Sequence, residues 1–510
     1  MSTKIKPFVF VILSGWGIAP ASSANAISLA KTPNFDRLAT NYKTLSLEAA
    51  GNAVGLLDDE PGNSKTSYLN IGAGKVVYEI LPKINVAIKD RSFFDNPVLI
   101  SAIENCLENN SALHLMGQIS EKNEHSSVNH LYALIDLARS KGVEKIYLHL
   151  FLDGITTDKK DGLNQLEKIQ EHLNGIGVGK IATIHGQNYA MNRDGFWDKT
   201  EKSYRAIVEG KSESSSVNAL KLIEQSYASE VYDDEMVPVV VTDGGKVVGK
   251  ISDHDSIIGF NFRADRMRQL ACPFIDAEFN KFKLKKLSGI KFVGMIRYCS
   301  DFAMEFAFDK DEVKVALPFI LEEKHINQTY LAEGDKYIQL ISFLKGNIDK
   351  ELSLAKNLIL PEDNIPKAIV HAIVDEKSEF VATNFSLADK EAGEGDLKKT
   401  IKAIEKIDSY LGKITDAVIE KQGVVLITAD HGNIEEFSNL QNGAIEKENS
   451  TNPVPLILVG ERWGQDKELG EGKIDLSLIK PTGALSDIAP TILKILGIKK
   501  PKEMTGKSLI

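Results

Sequence analysis

Asp430 and His431 follow directly on an apolar, β-rich run, Val424 to Ala429, and precede Gly432. The pair therefore sits where a strand gives way to a loop, the position at which α/β enzymes place their chemistry. A carboxylate beside an imidazole suits a divalent metal such as zinc or manganese. A helix-capping Asp with a surface His would read the same way in isolation. The pair needs partners elsewhere in the chain.

The elements that would position such partners recur along the sequence. Apolar runs of five to eight residues, of the type found in buried, parallel sheets, include residues 8–13, 145–152, 238–242, 379–385, 424–429 and 454–459. Between several of them lie helical patterns, the longest over 396–421. Strands alternating with helices predict an α/β fold with mainly parallel sheet. The length, 510 residues, allows several domains with ample core. Composition shifts near 76–85 and 307–317 are the places where an inserted domain would begin and end.

Net charge is −10 and the basic residues form no run, which argues against nucleic acid or an anionic membrane as partner. Cys106, Cys272 and Cys299 lie far apart in the chain and form no CxxC pair. They argue for a reducing compartment and against a zinc knuckle. The run from Phe8 to Leu13 is too short for a signal segment or a membrane span. A cytoplasmic protein is expected.

Longer phrases are more specific. The chain contains NAISLAKTPNFDRLA (25–39), GNSKTSYLNIGAGKVVY (62–78), LHLMGQIS (113–120) and GVGKIATIHGQNYAMNRDGFWD (177–198). It continues with NFRADR (261–266), TADHGN (428–433), TNPVPLILV (451–459) and PKEMTGKSLI (501–510). Together these resemble the cofactor-independent, metal-dependent phosphoglycerate mutases, end to end. The resemblance implies an alkaline-phosphatase-like domain from residues 1–78 and 312–510, with a substrate-binding α/β domain inserted at 79–311. It implies two Mn²⁺ ions and a metal-activated serine that takes and returns a phosphoryl group between 3- and 2-phosphoglycerate. Coordination is one way to activate a serine, and two ions can hold attacking and leaving oxygens.

By the same resemblance Ser64 stands at the nucleophile position, although alone it reads as a Gly-Asn-Ser turn. Asp430 and His431 match ligands of the ion that activates it, and Asp389 matches a ligand of the other. Lys336 matches a lysine facing the phosphate; His125, Arg193, Arg263 and Arg266 match substrate-binding residues. Several positions depart. Ser14 replaces the acid after the first strand, and Gly393 and Asn449 replace two histidine ligands. Lys390 follows Asp389, where its charge is expected to repel a cation. Ile155 and Thr156 stand for an Arg-Asp pair, Gln187 for an arginine, and Tyr68 for a histidine. Of ten histidines only His431 lies beyond His371, so no local shift recovers the missing imidazoles.

The reading is a family member with a degenerate metal site, inactive or strongly impaired, in which Mn²⁺ binding is weak, partial or absent. Its expected partner is a small phosphorylated or carboxylated metabolite, and a monomer is expected. The alternatives are an active manganese-dependent mutase with an atypical site, residual one-metal phosphatase activity at Ser64, and a regulatory or partner-binding protein.

Overall fold

The computed structural model describes residues 7–464 and 474–510. The chain divides into two compact units, Met1–Pro82 with Asp311–Ile510, and Lys83–Lys310.

The first unit is built on an eight-stranded sheet. Its spatial order is Ala355–Ile359, Gln328–Ala332, Phe380–Phe385, Phe8–Leu13, Val424–Ala429, Val454–Val459, Lys43–Glu48 and Pro481–Ala484. Phe8–Leu13 lies at the centre, fully buried and parallel to both neighbours, in register Leu13 to Phe385 and Leu13 to Ala429. Burial on both faces is why these strands read as unbroken apolar runs. The same burial hides direction: Val454–Val459 was expected to be parallel but runs antiparallel to both neighbours.

Helices cover the sheet by the usual periodicity. Leu397–Glu420 is N-capped by Asp396, which accepts from Lys399 N at 3.0 Å. It buries Ile404, Ile407, Leu411, Ile414 and Val418, spaced three and four apart on one face. On that face Asp408 accepts from Phe35 N at 2.7 Å and Asn34 N at 3.2 Å. A carboxylate thereby caps the helix Pro33–Asn41 and complements the positive end of its dipole.

The second unit carries a nine-stranded sheet. Its order is Glu305–Phe306, Lys291–Gly294, Ser256–Gly259, Leu113–Ile119, Ile146–Leu152, Lys180–Gly186, Val239–Asp243 and Ser214–Ser216, with Lys246–Val247 paired to Val239–Asp243 off this path. Val239–Asp243 also departs from the parallel expectation, running antiparallel to Lys180–Gly186. A buried polar chain crosses three central strands. Asp255 Oδ2 meets His114 Nε2 at 3.1 Å, and His114 Nδ1 meets His149 Nε2 at 2.9 Å. Thr183 Oγ1 then joins His149 Nδ1 at 2.8 Å to His185 Nε2 at 2.6 Å. Such groups are tolerated in a core because they satisfy one another. Burial, and next the neighbouring histidines, hold His149 well below its ordinary pKa; burial alone pulls His185 down to about 3.

Candidate functional site

The parallel register places Ser14 and Asp430 side by side, because each is the first residue beyond a paired strand end, Leu13 and Ala429. Carboxyl ends of parallel strands are where open α/β sheets build sites. Asp430 is fully buried and His431 almost so, which removes the surface-histidine reading. Asp430 Oδ1 accepts from Gly15 N at 3.3 Å and His431 N at 3.0 Å. Its Oδ2 accepts from Ser64 Oγ at 2.8 Å and Ser14 Oγ at 3.3 Å.

Ser64 is the first residue of the helix Ser64–Ala73, not part of a free turn. Asn63 caps that helix by accepting from Thr66 N at 3.0 Å. His431 Nε2 lies 3.2 Å from Ser64 Oγ, and its Nδ1 lies 3.3 Å from the Gly432 carbonyl. A carbonyl only accepts, so in the neutral ring Nδ1 carries the proton and Nε2 faces Ser64 as an acceptor. The Ser64 hydroxyl thus has two acceptors for its one proton.

Tyr68 is one helical turn beyond Ser64 and on the same face. Asn384 Nδ2 donates to Tyr68 Oη at 2.6 Å and to Ser14 Oγ at 2.8 Å. Burial, then the Asp430 charge, raise the Tyr68 phenol well above its ordinary value. Ser14, Asn384 and Tyr68 therefore form a neutral hydrogen-bonded wall against Asp430. Sequence reading missed Asn384. The available signal was its place near the end of a central strand, opposite Ile12.

Asp389 approaches the same strand ends. A Cβ on Gly15 would sit 2.6 Å from Asp389 Oδ1, and Gly15 has φ +73°, so both space and backbone require glycine there. Burial raises the Asp389 carboxyl, while His431 and Lys336 act the other way. Lys336 Nζ is 3.7 Å from Asp389 Oδ2. Lys390, expected to repel a cation, is instead exposed, since adjacent helical residues point about 100° apart. Gly393 lies in the helix Leu387–Glu394 without positive φ, with no atom within 4 Å of a built Cβ. Asn449 Nδ2 donates to Gly62 O at 2.7 Å, in the loop that carries Ser64. Among the described residues no group of three or more His, Cys, Asp or Glu side chains is arranged to hold a metal ion.

The second unit gathers the remaining cations. Arg193 Nη1 meets Asp265 Oδ2 at 2.8 Å, and Arg263 Nη1 meets Glu124 Oε1 at 3.1 Å. Arg263 Nε is also 3.7 Å from Asp265 Oδ1, and His125 Nε2 is 3.9 Å from Glu124 Oε1. Burial, then the Arg263 charge, lower the His125 pKa; burial, then Arg193, lower that of Arg266. With its amide oriented to satisfy both neighbours, Gln187 accepts from Arg266 Nη1 at 3.3 Å and donates to Asp153 Oδ1 at 3.1 Å. The Asp153 carboxylate also binds Ser120 Oγ at 2.8 Å and the Thr156 hydroxyl. Ile155 is half exposed, an apolar side chain where the pattern has a guanidinium. Glu124 and Asp265, which partly neutralise the arginines, were not anticipated, although Asp265 sits between Arg263 and Arg266 in the sequence.

The class of protein is one with a buried serine at the carboxyl ends of a mainly parallel sheet in one unit and an arginine cluster on a second α/β unit. The family model described as BPG-independent PGAM N-terminus matches residues 84–300. A 2,3-bisphosphoglycerate-independent phosphoglycerate mutase 1 of Methanosarcina acetivorans is 38% identical, covering 100% of this chain and 99% of the relative. A relative from Clostridium acetobutylicum, also named 2,3-bisphosphoglycerate-independent phosphoglycerate mutase, is 38% identical, covering 99% of each. Among solved structures, a Leishmania mexicana phosphoglycerate mutase crystallised at low cobalt concentration aligns with TM-score 0.50 and 25% identity, over 98% of this chain and 97% of that one. The chain belongs to the 2,3-bisphosphoglycerate-independent phosphoglycerate mutase family. Among the described residues no helix is long and apolar enough to cross a membrane.

Proposed function

We propose that this family member binds a small phosphorylated or carboxylated metabolite and has lost most or all of the capacity to interconvert phosphoglycerates. The observation that carries this reading is the environment of Asp430. Where the family pattern places a carboxylate, the Ser14 hydroxyl stands 3.3 Å from Asp430 Oδ2 and is itself held by Asn384. A neutral hydroxyl is a far weaker ligand than a carboxylate for a hard divalent ion.

The donor set does not fit two Mn²⁺ ions. Around one position, among the described residues, Asp430 and His431 are the strong donors of the family pattern that remain, backed by the neutral wall of Ser14, Asn384 and Tyr68. Around the other, Asp389 stands without the two histidines of the family pattern, and an ammonium group already faces it. No phosphoryl-transfer step is therefore assigned to metal here. Arg193, Arg263 and Arg266 remain able to hold an anion, bidentately where the carboxylates Glu124 and Asp265 yield. No nucleic acid or membrane partner is implied.

Calorimetry with 3-phosphoglycerate tests the binding half of the reading. Weak, salt-sensitive binding that does not depend on manganese supports it; absence of binding at low salt overturns it. A second reading, slow hydrolysis of phosphate esters at Ser64, is favoured by the 3.2 Å contact between Ser64 Oγ and His431 Nε2. Release of phosphate abolished by Ser64→Ala would select it.

A further inference from the structure

Cys272 and Cys299 are distant in sequence and meet in one packed cluster of the second unit. Cys272 lies on the helix Arg268–Ile275, one turn beyond Arg268 and so on the same face. The Arg268 guanidinium pairs with the Asp301 carboxylate, which fastens that face to the segment carrying Cys299. Cys272 packs against the buried cluster that contains Cys299, close enough for each thiol to act on the other. Cys299 is buried, whereas Cys272 is half-buried and lines a cavity of about 400 Å³ with Arg193, Asp265, Arg268 and Phe302. Cys106 is apart and buried, its Sγ 3.2 Å from the Ala112 carbonyl.

We propose that Cys272 and Cys299 are a reversible dithiol–disulfide pair, oxidised by hydrogen peroxide that enters through this cavity. The Cys272 thiolate attacks one peroxide oxygen, the O–O bond breaks, and the departing hydroxide takes up the thiol proton as water. Cys272 is then a sulfenic acid. The Cys299 sulfur attacks the Cys272 sulfur, the S–O bond breaks, and the leaving hydroxide takes the Cys299 proton as a second water. Two thiols and one peroxide give one disulfide and two waters.

The division of labour follows from the surroundings. The neighbouring Cys299 thiol lowers the Cys272 pKa against the effect of burial, with help from the Arg268 charge. The same pairing with Cys272, then burial, raise Cys299. The half-buried, more acidic thiol at the cavity is the one peroxide meets, and the buried one resolves the intermediate. The bond would fasten the helix that directly follows Arg263 and Arg266 to the Cys299 segment. In a reducing compartment the pair rests as thiols, so the site would respond to oxidant rather than serve as a permanent crosslink.

The test uses the full chain treated with a few equivalents of hydrogen peroxide, alkylated, and read by intact mass and peptide mapping. The expected result is a mass lower by two hydrogens before alkylation, Cys106 as the single alkylated thiol, and full reversal by dithiothreitol. Cys299→Ser should lose no hydrogens and instead trap a dimedone adduct at Cys272. Cys106→Ser should form the same disulfide as wild type, which keeps the test independent of the fold of any one variant. Three alkylated thiols after peroxide, or a disulfide that uses Cys106 or joins two chains, would overturn the proposal.

Discussion

The Lys336 ammonium stands 3.7 Å from Asp389 Oδ2, so the carboxylate that the family resemblance would place at a second metal position already faces a cation. An incoming divalent ion would have to displace or tolerate that charge without the two histidines that normally share the load. After manganese loading and desalting, elemental analysis should find less than one ion per chain. Two tightly held ions would contradict the reading of the donor set.

Restoring the ligands should reverse this. In the triple variant Ser14→Asp, Gly393→His, Asn449→His, the carboxylate introduced at position 14 faces Asp430 where Ser14 Oγ now lies 3.3 Å from it. Two like charges about 4 Å apart repel by up to about 4 kcal/mol at an effective dielectric constant near 20, less if the pair retains a proton. Losing the Asn449 bond to Gly62 O costs roughly 1 kcal/mol more. Histidine at Gly393 meets no steric bar, since a Cβ there enters open space. The metal-free variant should melt several degrees below wild type and recover with manganese in scanning fluorimetry. A melting temperature indifferent to manganese would count against this placement of the ligands.

Much of this was legible before the structure. The strands at 8–13, 424–429 and 454–459 match Phe8–Leu13, Val424–Ala429 and Val454–Val459, because full burial writes an unbroken apolar run. Strand direction was not legible, as Val454–Val459 shows, since burial looks the same either way. At the site, residue types marked which positions depart from the family resemblance. They could not tell what fills the space, because Asn384 bonding to Ser14 and Tyr68 depends on three distant segments meeting. Lys390 misled for the reverse reason: a neighbour in sequence is not a neighbour around a helix.

In the second unit Arg193 and Arg263 are partly exposed and already paired with Asp265 and Glu124. Arg266 is more buried and meets Gln187 as a neutral partner. Arg266→Ala should therefore weaken 3-phosphoglycerate binding more than Arg263→Ala. Both losses should shrink between low salt and about 0.15 M, where the Debye length is about 8 Å. Calorimetry on the two variants checks the order; equal or reversed effects would show that the pairing does not set the anion affinity.

His185 provides a pH test free of the metal question. Burial holds it at about 3 in the folded chain, against about 6.5 when unfolded. Below pH 6.5 the unfolded state binds the extra proton, so the stability due to this group is present above that pH and lost as pH falls. His185→Gln removes the group. Its stability deficit relative to wild type should shrink by about 1.4 kcal/mol per pH unit between pH 6 and 4. Urea unfolding of both proteins across that range reads the difference, and a constant deficit would mean His185 is not held neutral.

The most direct measurement is a coupled enolase assay of the wild-type chain with 3-phosphoglycerate and excess manganese, run beside the metal-shell variant. A second variant should also carry Ile155→Arg, Thr156→Asp and Gln187→Arg. The wild type should show no turnover above background, and the metal-shell variant little. The combined variant should show more than the sum of either set alone, because residues that act as a unit are non-additive. Robust turnover by the wild-type chain would contradict the degenerate-site reading.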